Sequence, residues 1–287
     1  MALMIKDLLQ MGESRLAAAG CDNPRGDAEA LFRYMNQVDR NYIFTHYSTE
    51  IMDDRCDYYF EFIDERCTRK PLQYMLGTQE FMGLSFRVNE DVMVPRQETE
   101  IITEKAMELL KGRRAGLGGL QVLDLCCGSG AIAVSLARLL PQIKMKLTAA
   151  DVSPQALAVA RDNAARNGVS PRISFVEGDL FAPLPLDRKG RGKTRFDLIV
   201  SNPPYIPAGV IDGLEPEVSR YEPRLALDGG ADGLDFYRRI AKEAPIHMKE
   251  DGLLLLEIGH DQGAALVSLL EEEGAFRDVC VFRDLAG

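Results

Sequence analysis

The sequence predicts an α/β fold: a mostly parallel sheet covered by helices on both faces, preceded by a small helical domain. Three observations carry this expectation. From Gln121 onward, short apolar strands alternate with helix-length segments, as in sheets whose crossovers are helical. Over residues 1 to about 75, helical spacing dominates and strand signals are few. Between these parts, Gln79 to Pro95 places Phe81, Leu84, Phe86, Val88, Val92 and Val94 around turn signals at Gly83 and Asn89-Glu90-Asp91, which reads as short strands in a hairpin-like connector.

The helical part begins with Leu3, Ile5, Leu8, Leu9 and Leu16 near helical spacing. Asn23-Pro24 reads as a cap followed by proline at the first helical position, opening a helix that runs through Met35. Ser48-Thr49 is expected to open another, with Ile51, Tyr58, Tyr59, Phe62 and Ile63 as its apolar face and Pro71 as its stop. Gln97 to Leu110 reads as a helix, and Lys111 to Gly119 as a loop rich in glycine and arginine. Then follow a buried strand at Val122 to Leu125, a helix from Ala131 to Leu140, a strand at Lys146 to Ala150 and a helix from Pro154 to Asn167. Further strands are expected at Ile173 to Val176, Phe196 to Val200 and Leu253 to Ile258, with a helix from Asp232 to Met248 before the last. The domain boundaries read from this pattern are 1–78 for the helical domain, 79–96 for the connector and 97–287 for a Rossmann-like domain. Ligands of such sheets sit at the carboxyl ends of the strands.

Composition narrows the function classes. The chain has 287 residues, a 46% apolar fraction and a formal net charge of -10. An acidic chain repels phosphate backbones at long range, which argues against bare nucleic acid as the main substrate. No apolar stretch approaches the ~18 residues of a membrane span, so no membrane association is expected. The N-terminal residues lack a basic region followed by a long apolar run, so no signal peptide is expected either. Cys21, Cys56, Cys67, Cys126, Cys127 and Cys280 form no Cys-x-x-Cys pair and have no histidine at ligand spacing. They read as scattered buried thiols in a reducing cytoplasm, and no metal site is expected. Asp187 to Arg195 carries Arg188, Lys189, Arg191, Lys193 and Arg195 around two glycines, either a solvated loop or a contact with RNA or an acidic surface.

Chemistry collects at successive strand ends. Asp124-Leu125-Cys126-Cys127-Gly128-Ser129-Gly130 lies between the first strand of the alternating part and a helix. Gly128 and Gly130 permit a sharp turn and a close approach to a ligand, and the helix that follows offers free N–H groups. The loop departs from Gly-x-Gly-x-x-Gly, so a dinucleotide is not demanded. Asp151 ends the second strand, where a carboxylate can accept from both ribose hydroxyls or cap the next helix. Glu177-Gly178-Asp179-Leu180 ends the third, where Asp179 can accept from an exocyclic adenine amine or simply make a turn. Together the three fit adenosine without a pyrophosphate. That pattern resembles the class I S-adenosylmethionine methyltransferases.

The fourth strand ends in Ser201-Asn202-Pro203-Pro204-Tyr205. Two prolines fix their own φ and hold each preceding residue extended. The side-chain carbonyl of Asn202 and the main-chain carbonyl of Pro203 can then point at one spot as rigid acceptors for an NH2 group on a planar centre. Tyr205 adds an aromatic surface over the substrate or near a cationic sulfonium. Amide-nitrogen and adenine-nitrogen methyltransferases share this tetrad, and the flanks decide between them. Pro71-Leu72-Gln73-Tyr74, Val94-Pro95-Arg96-Gln97-Glu98-Thr99-Glu100, Tyr221-Glu222-Pro223-Arg224, Leu227-Asp228-Gly229-Gly230 with Asp232-Gly233-Leu234, and Leu256-Glu257-Ile258-Gly259 occur in this order. With them the chain closely resembles the HemK/PrmC-type release factor glutamine methyltransferases, from about residue 5 onward.

The resemblance implies a helical domain that helps hold the substrate protein and a Rossmann-like domain that binds S-adenosyl-L-methionine, released as S-adenosyl-L-homocysteine. The implied substrate is the glutamine of the Gly-Gly-Gln motif in class I peptide chain release factors, methylated at N5. Separately, the chain is expected to be cytoplasmic, from its scattered thiols, and monomeric. By matched position Cys126, Cys127, Gly128, Ser129, Gly130, Asp151, Leu180 and Asn202 would contact the cofactor; Asp124 and Asp179 join them from the strand-end reading. Asn202, Pro203, Pro204 and Tyr205 would contact the glutamine, with Asn202, Pro203 and Tyr205 as the catalytic set. The alternative reading is an adenine-N6 methyltransferase acting on a flipped base of RNA or DNA. Two departures stand out. The family has Gly and Thr where this chain has Cys126 and Cys127. It also continues beyond Asp284-Leu285-Ala286-Gly287 with one more strand, so the last strand is expected to be shortened or missing here.

Overall fold

The computed structural model describes residues 3–282. In chain order the elements are β1 (Leu3–Met4), α1 (Ile5–Ala18), α2 (Pro24–Asn36), α3 (Arg40–Thr45), β2 (Glu50–Ile51), α4 (Asp53–Cys67), α5 (Leu72–Leu76), β3 (Thr78–Phe81), β4 (Leu84–Arg87) and α6 (Gln97–Gly112). They continue with β5 (Leu120–Leu125), α7 (Ala131–Leu139), β6 (Met145–Asp151), α8 (Pro154–Arg166), β7 (Ile173–Glu177), β8 (Phe196–Ser201), α9 (Pro216–Ser219), α10 (Asp235–His247), β9 (Met248–Leu256) and α11 (Gly263–Glu272). The chain divides into two compact units: Met1–Gly77 with Glu215–Tyr221, and Thr78–Leu214 with Glu222–Gly287. Residues 283–287, where the last strand is expected to be shortened or missing, lie outside the described residues.

In the first unit, α1, α2 and α4 enclose a core of Leu8, Leu16, Leu31, Phe32, Tyr59 and Ile63. α2 begins as its sequence directs, the Asn23 side chain accepting from Gly26 N–H at 3.2 Å. The helix expected to open at Ser48-Thr49 starts instead at Asp53. The preceding residues are committed elsewhere: the carbonyls of Tyr47 and Thr49 accept from Lys6 and Ile5, both at 3.0 Å, and Glu50–Ile51 pairs with Leu3–Met4. Asp53 and Asp54 then fall in the first turn, where the helix dipole favours them. α4 ends at Cys67, before Pro71 is reached. The short α3 and α5 offer too few turns for periodicity to reveal.

Ion pairs staple the distant segment 215–221 into this unit. Arg66 contacts Asp27 and Glu217, each at 2.9 Å, and Arg69 contacts Glu217 at 2.6 Å and Glu215 at 3.0 Å. The Thr68 and Tyr221 hydroxyls lie 2.7 Å apart. Removing one partner of such a buried pair leaves an uncompensated charge, so these residues specify where the segment lies more than they add stability.

The second unit is built on a five-stranded sheet ordered β7-β6-β5-β8-β9, every pair parallel. β3 and β4 form an antiparallel hairpin whose Phe81 and Phe86 stack edge to face in the core shared with α6, α7 and α8. The sheet grows from β5 outward to β7, then crosses to β8 on the other side of β5. The carboxyl ends of β5 and β8 therefore flank the switch point at which such sheets bind ligands. α10 begins at Asp235, not Asp232, because Asp232-Gly233-Leu234 makes a turn: Asp232 accepts from Leu234 N–H at 3.1 Å and Gly233 has φ +78°. α11 was not anticipated from sequence. The basic loop folds on itself, Asp187 accepting from the N–H groups of Lys189 and Arg191 at 2.8 and 2.9 Å.

The cysteines are all free; Cys21, Cys56 and Cys127 are buried, whereas Cys280 is exposed, so the expectation of uniformly buried thiols does not hold. No helix among the described residues is long and apolar enough to cross a membrane.

Candidate functional site

At the switch point the second unit opens into a cleft whose walls are the carboxyl ends of its strands. After β5 the chain turns back with Cys126 at φ +56°, Gly128 at +51° and Gly130 at +78°. A Cβ at Gly130 would stand 3.0 Å from the Cβ of Ala160, so glycine there allows α7 to pack on α8. A Cβ at Gly128 would meet nothing within 4 Å, leaving the backbone open toward the cleft. Asn163, fully buried, ties this loop to the hairpin. Its amide donates to Ser129 O at 2.9 Å and Arg87 O at 3.0 Å, and accepts from Arg87 N–H at 2.6 Å.

The carboxylate of Asp151 stands at the end of β6. It accepts from Gly128 N–H at 2.8 Å and Ser153 N–H at 2.9 Å, one bond to each oxygen, so each oxygen keeps a lone pair for a ligand. The cap of α8 is Ser153, whose hydroxyl accepts from Ala156 N–H at 3.1 Å, so Asp151 is not spent on capping. Burial raises the Asp151 carboxyl above the ordinary range, opposed by those N–H donors. After β7, Asp179 lines the cleft and pairs with Arg239 at 2.7 Å, while Leu180 is buried at φ +49°.

Cys126, Cys127, Gly128, Ser129, Asp151, Asp179, Leu180, Asn202 and Pro204 all line this one cleft. Asp124, Gly130, Pro203 and Tyr205 are not among its lining residues. Asp124 is fully buried, with one oxygen accepting from Ala133 N–H at 3.0 Å and the other without a partner. Burial pushes its carboxyl up to about 8, so it holds a proton at neutral pH.

The tetrad loop leaves β8 at a rigid exit. Ser201 Oγ donates to Leu125 O at 2.8 Å, joining the ends of β8 and β5. Asn202 Nδ2 donates to Thr99 Oγ1 at 3.2 Å, which leaves its side-chain oxygen as the acceptor available to a ligand. Pro203 and Pro204 are buried. The glycine-rich stretch 227–233 braces the far side: Ile206 N–H donates to Leu227 O and Gly229 N–H to Ile206 O, both at 2.9 Å. A Cβ at Gly229 would stand 2.7 Å from Tyr205 Cα, and one at Gly233 2.3 Å from Tyr205 O, so only glycine permits this approach. Gln262 Nε2 donates to the same Tyr205 carbonyl at 2.9 Å. Burial and the nearby Glu257 push the Tyr205 phenol up to about 12, keeping it neutral.

Three groups of lining residues were not assigned to the site from sequence, although Pro95, Thr99 and Pro223 stand in the flanking motifs that carry the resemblance. Met93, Pro95 and Thr99 come from the approach to α6, Pro223, Leu225 and Ala226 from the segment after residue 221, and Phe236 from α10. Glu257 follows β9, where its N–H donates to Ser201 O at 3.0 Å and its carbonyl accepts from Tyr237 Oη at 2.7 Å. A carboxylate directly after a buried strand was the available signal. Arg96 bonds the buried Glu222 at 2.6 Å, joining two of these rims.

Comparison with known proteins agrees with this architecture. The PrmC N-terminal domain family matches residues 7–77, and the methyltransferase small domain family matches residues 103–212. A release factor glutamine methyltransferase of Moorella thermoacetica is 42% identical over 96% of this chain and 94% of its own length. One of Geobacter sulfurreducens is 41% identical over 94% and 89%. This chain belongs to the release factor glutamine methyltransferase family. In fold, it is similar to the hMettl16 catalytic domain, with a TM-score of 0.51 at 17% identity over 73% of this chain and 72% of that one. At that identity the likeness concerns the fold alone. The two departures noted in the glycine loop of this methyltransferase, Cys126 and Cys127, both line the cleft.

Proposed function

We propose that the chain transfers the methyl group of S-adenosylmethionine to the N5 side-chain amide nitrogen of the glutamine in the Gly-Gly-Gln motif of class I peptide chain release factors. The observation that carries this reading is the orientation of Asn202 in the cleft. Its Nδ2 is taken by Thr99, so its oxygen is the acceptor left to the cleft, and the adjacent main-chain carbonyl of Pro203 is proposed as the second. Two acceptors on a rigid frame suit the two N–H groups of a primary amide.

The cleft fits the cofactor on its donor set. The Asp151 carboxylate, held by two backbone N–H groups, would accept from the ribose hydroxyls; the open backbone at Gly128 and the wall of Cys126, Cys127 and Ser129 would receive the methionine portion; Asp179 and Leu180 would flank the adenine. When bound, the cofactor supplies an electrophilic methyl on a sulfonium. The chain's own contribution is to aim the nucleophile. An amide nitrogen is weakly nucleophilic because its lone pair is delocalised into the carbonyl. Asn202 and Pro203 accept hydrogen bonds from its two N–H groups, increase electron density on nitrogen and hold it in line, and the methylated amide cation then loses one proton to solvent. Those bonds strengthen as positive charge develops. The neutral Tyr205 closes the site with an aromatic surface.

The first unit is assigned to holding the release factor, and the enzyme is proposed to act in the cytoplasm as a monomer. The test offers purified release factor and nucleic acid side by side with labelled cofactor. Label on the release factor, with a gain of about 14 Da on its glutamine peptide, is the expected result. Label confined to nucleic acid overturns the reading.

A further inference from the structure

We propose that Thr99 and Glu257 are positioning residues that decide which end of the Asn202 amide faces the substrate; this rests on the reading of Asn202 as acceptor for the glutamine NH2. An asparagine amide has nearly the same shape at both ends, and a half-turn about its last torsion exchanges an acceptor for a donor. Facing the glutamine NH2, the flipped amide would set donor against donor. The two prolines fix the backbone of the tetrad but say nothing about this torsion.

The choice is made on the side away from the substrate. Thr99, buried at the start of α6, places its hydroxyl 3.2 Å from Asn202 Nδ2. A hydroxyl can donate or accept, so it fixes the amide only if its own proton is committed. Glu257 stands ready to take it. Its backbone is pinned by bonds to Ser201 O and from Tyr237 Oη, its carboxylate receives hydrogen bonds from the Thr99 hydroxyl and the Asn202 amide, and Oε2 is left without a protein partner. An ionised carboxylate only accepts. It draws the Thr99 proton, the Thr99 lone pairs then receive Asn202 N–H, and the Asn202 oxygen is left toward the cleft.

Protonated, Glu257 becomes a donor and the bias is lost. The groups around it set where this happens. Burial and Glu98, on α6, favour the protonated form; the Thr99 hydroxyl and the Asn202 amide favour the ionised one, and the carboxyl is pushed up to about 7. Tyr205 and Tyr237 face it from the tetrad loop and α10 with their phenols raised and neutral, and the Arg96 charge acts on Tyr205 in the opposite sense. Turnover should therefore rise with pH through the neutral range as Glu257 ionises.

The test measures kcat and KM on intact release factor across pH, with cofactor affinity followed by titration with S-adenosylhomocysteine. Glu257→Gln keeps the shape and Thr99→Val removes the hydroxyl. Each should lower kcat by about 10- to 100-fold with KM and cofactor affinity nearly unchanged. Thr99→Ser should rescue most of the loss, and Glu257→Gln should abolish the neutral inflection. If Glu257→Gln is unstable, the Thr99→Val and Thr99→Ser pair decides alone. Wild-type turnover in Thr99→Val, or an unchanged inflection in Glu257→Gln, overturns the relay; the methyl-transfer reading survives if Asn202→Ala is crippled in the same assay. Full turnover in Asn202→Ala overturns both.

Discussion

The loops that follow β5 and β8 do the same structural job by opposite means. The β5 loop turns on permissive backbone, with positive φ at Cys126, Gly128 and Gly130, and its polar partner Asp151 is held by main-chain N–H groups. The β8 loop is stiff in itself, with two prolines, and is braced by glycines 229 and 233 that let another segment lie flat against it. Around the first loop, the carboxylate of Asp151 is satisfied by backbone, while Asp124 behind it keeps one oxygen without a partner. Around the second, buried carboxyl oxygens of Glu257 and Glu222 lack partners. A binding wall needs shape and fixed dipoles. A reacting wall needs groups whose hydrogen bonds change along the reaction, and unsatisfied atoms are where such change has room.

The comparison breaks most visibly at Asn202. Asn202→Ala removes an acceptor that matters most as charge develops on nitrogen. By the measure of one lost group aimed at developing charge, kcat should fall on the order of 10²–10³. Cofactor affinity should move little, and steady-state rates with saturating release factor and cofactor check both. Asn202→Asp sharpens the point: it keeps an acceptor and the shape but adds a charge beside a sulfonium, so binding should survive while turnover changes.

Asp151→Ala strikes the other loop and should show the reverse pattern. Losing charge-assisted bonds costs roughly 1.5–3 kcal/mol, or about 10- to 150-fold in affinity for S-adenosylhomocysteine. Turnover at saturating cofactor should be far less affected. Unchanged affinity by calorimetry would remove Asp151 from the binding wall.

Gly233→Ala tests the brace without touching either reacting group. The added Cβ meets Tyr205 O at 2.3 Å, a backbone atom with nowhere to go, and the residue sits at φ +78°. Overpacking and strain of this kind cost about 1–3 kcal/mol, seen as a lower melting temperature. Because the displaced atom belongs to the tetrad loop, kcat should fall together with stability, whereas cofactor affinity should hold.

The alternation of strands and helices after Gln121 was legible because each element repeats a period that burial imposes. The cofactor loop was legible because glycines and strand-end carboxylates leave local marks. What stayed hidden is non-local. Thr99 and Glu257 meet at Asn202 across about 150 residues of sequence, and Glu217 reaches Arg66 and Arg69 over a similar separation. Side-chain chemistry alone does not say which threonine a distant asparagine will find. Ser48-Thr49 misled for a related reason: its local signature reads as a cap, but the neighbouring carbonyls are claimed by Ile5 and Lys6.

The smallest expected effect lies at Cys126, where this chain has a side chain and its relatives' pattern has glycine. Cys126 holds φ +56°, a conformation that costs a non-glycine residue roughly 1–2 kcal/mol. Glycine would relieve that strain but would lose about 0.5–1 kcal/mol through its freer unfolded chain. The Cys126 side chain also packs partly buried against the core cluster that contains Leu123, Leu125 and Leu180, and that packing would be given up. The terms nearly cancel, so Cys126→Gly should change stability by less than about 1 kcal/mol. Affinity is the more telling readout. If the Cβ at this position crowds the methionine end of the cleft, Cys126→Gly should tighten S-adenosylhomocysteine binding a few-fold while Asp151→Ala in the same background still weakens it. Binding that is unchanged or weaker would mean that the thiol is accommodated, and that the loop tolerates a side chain at its tightest turn because the cleft, rather than the glycine, supplies the room.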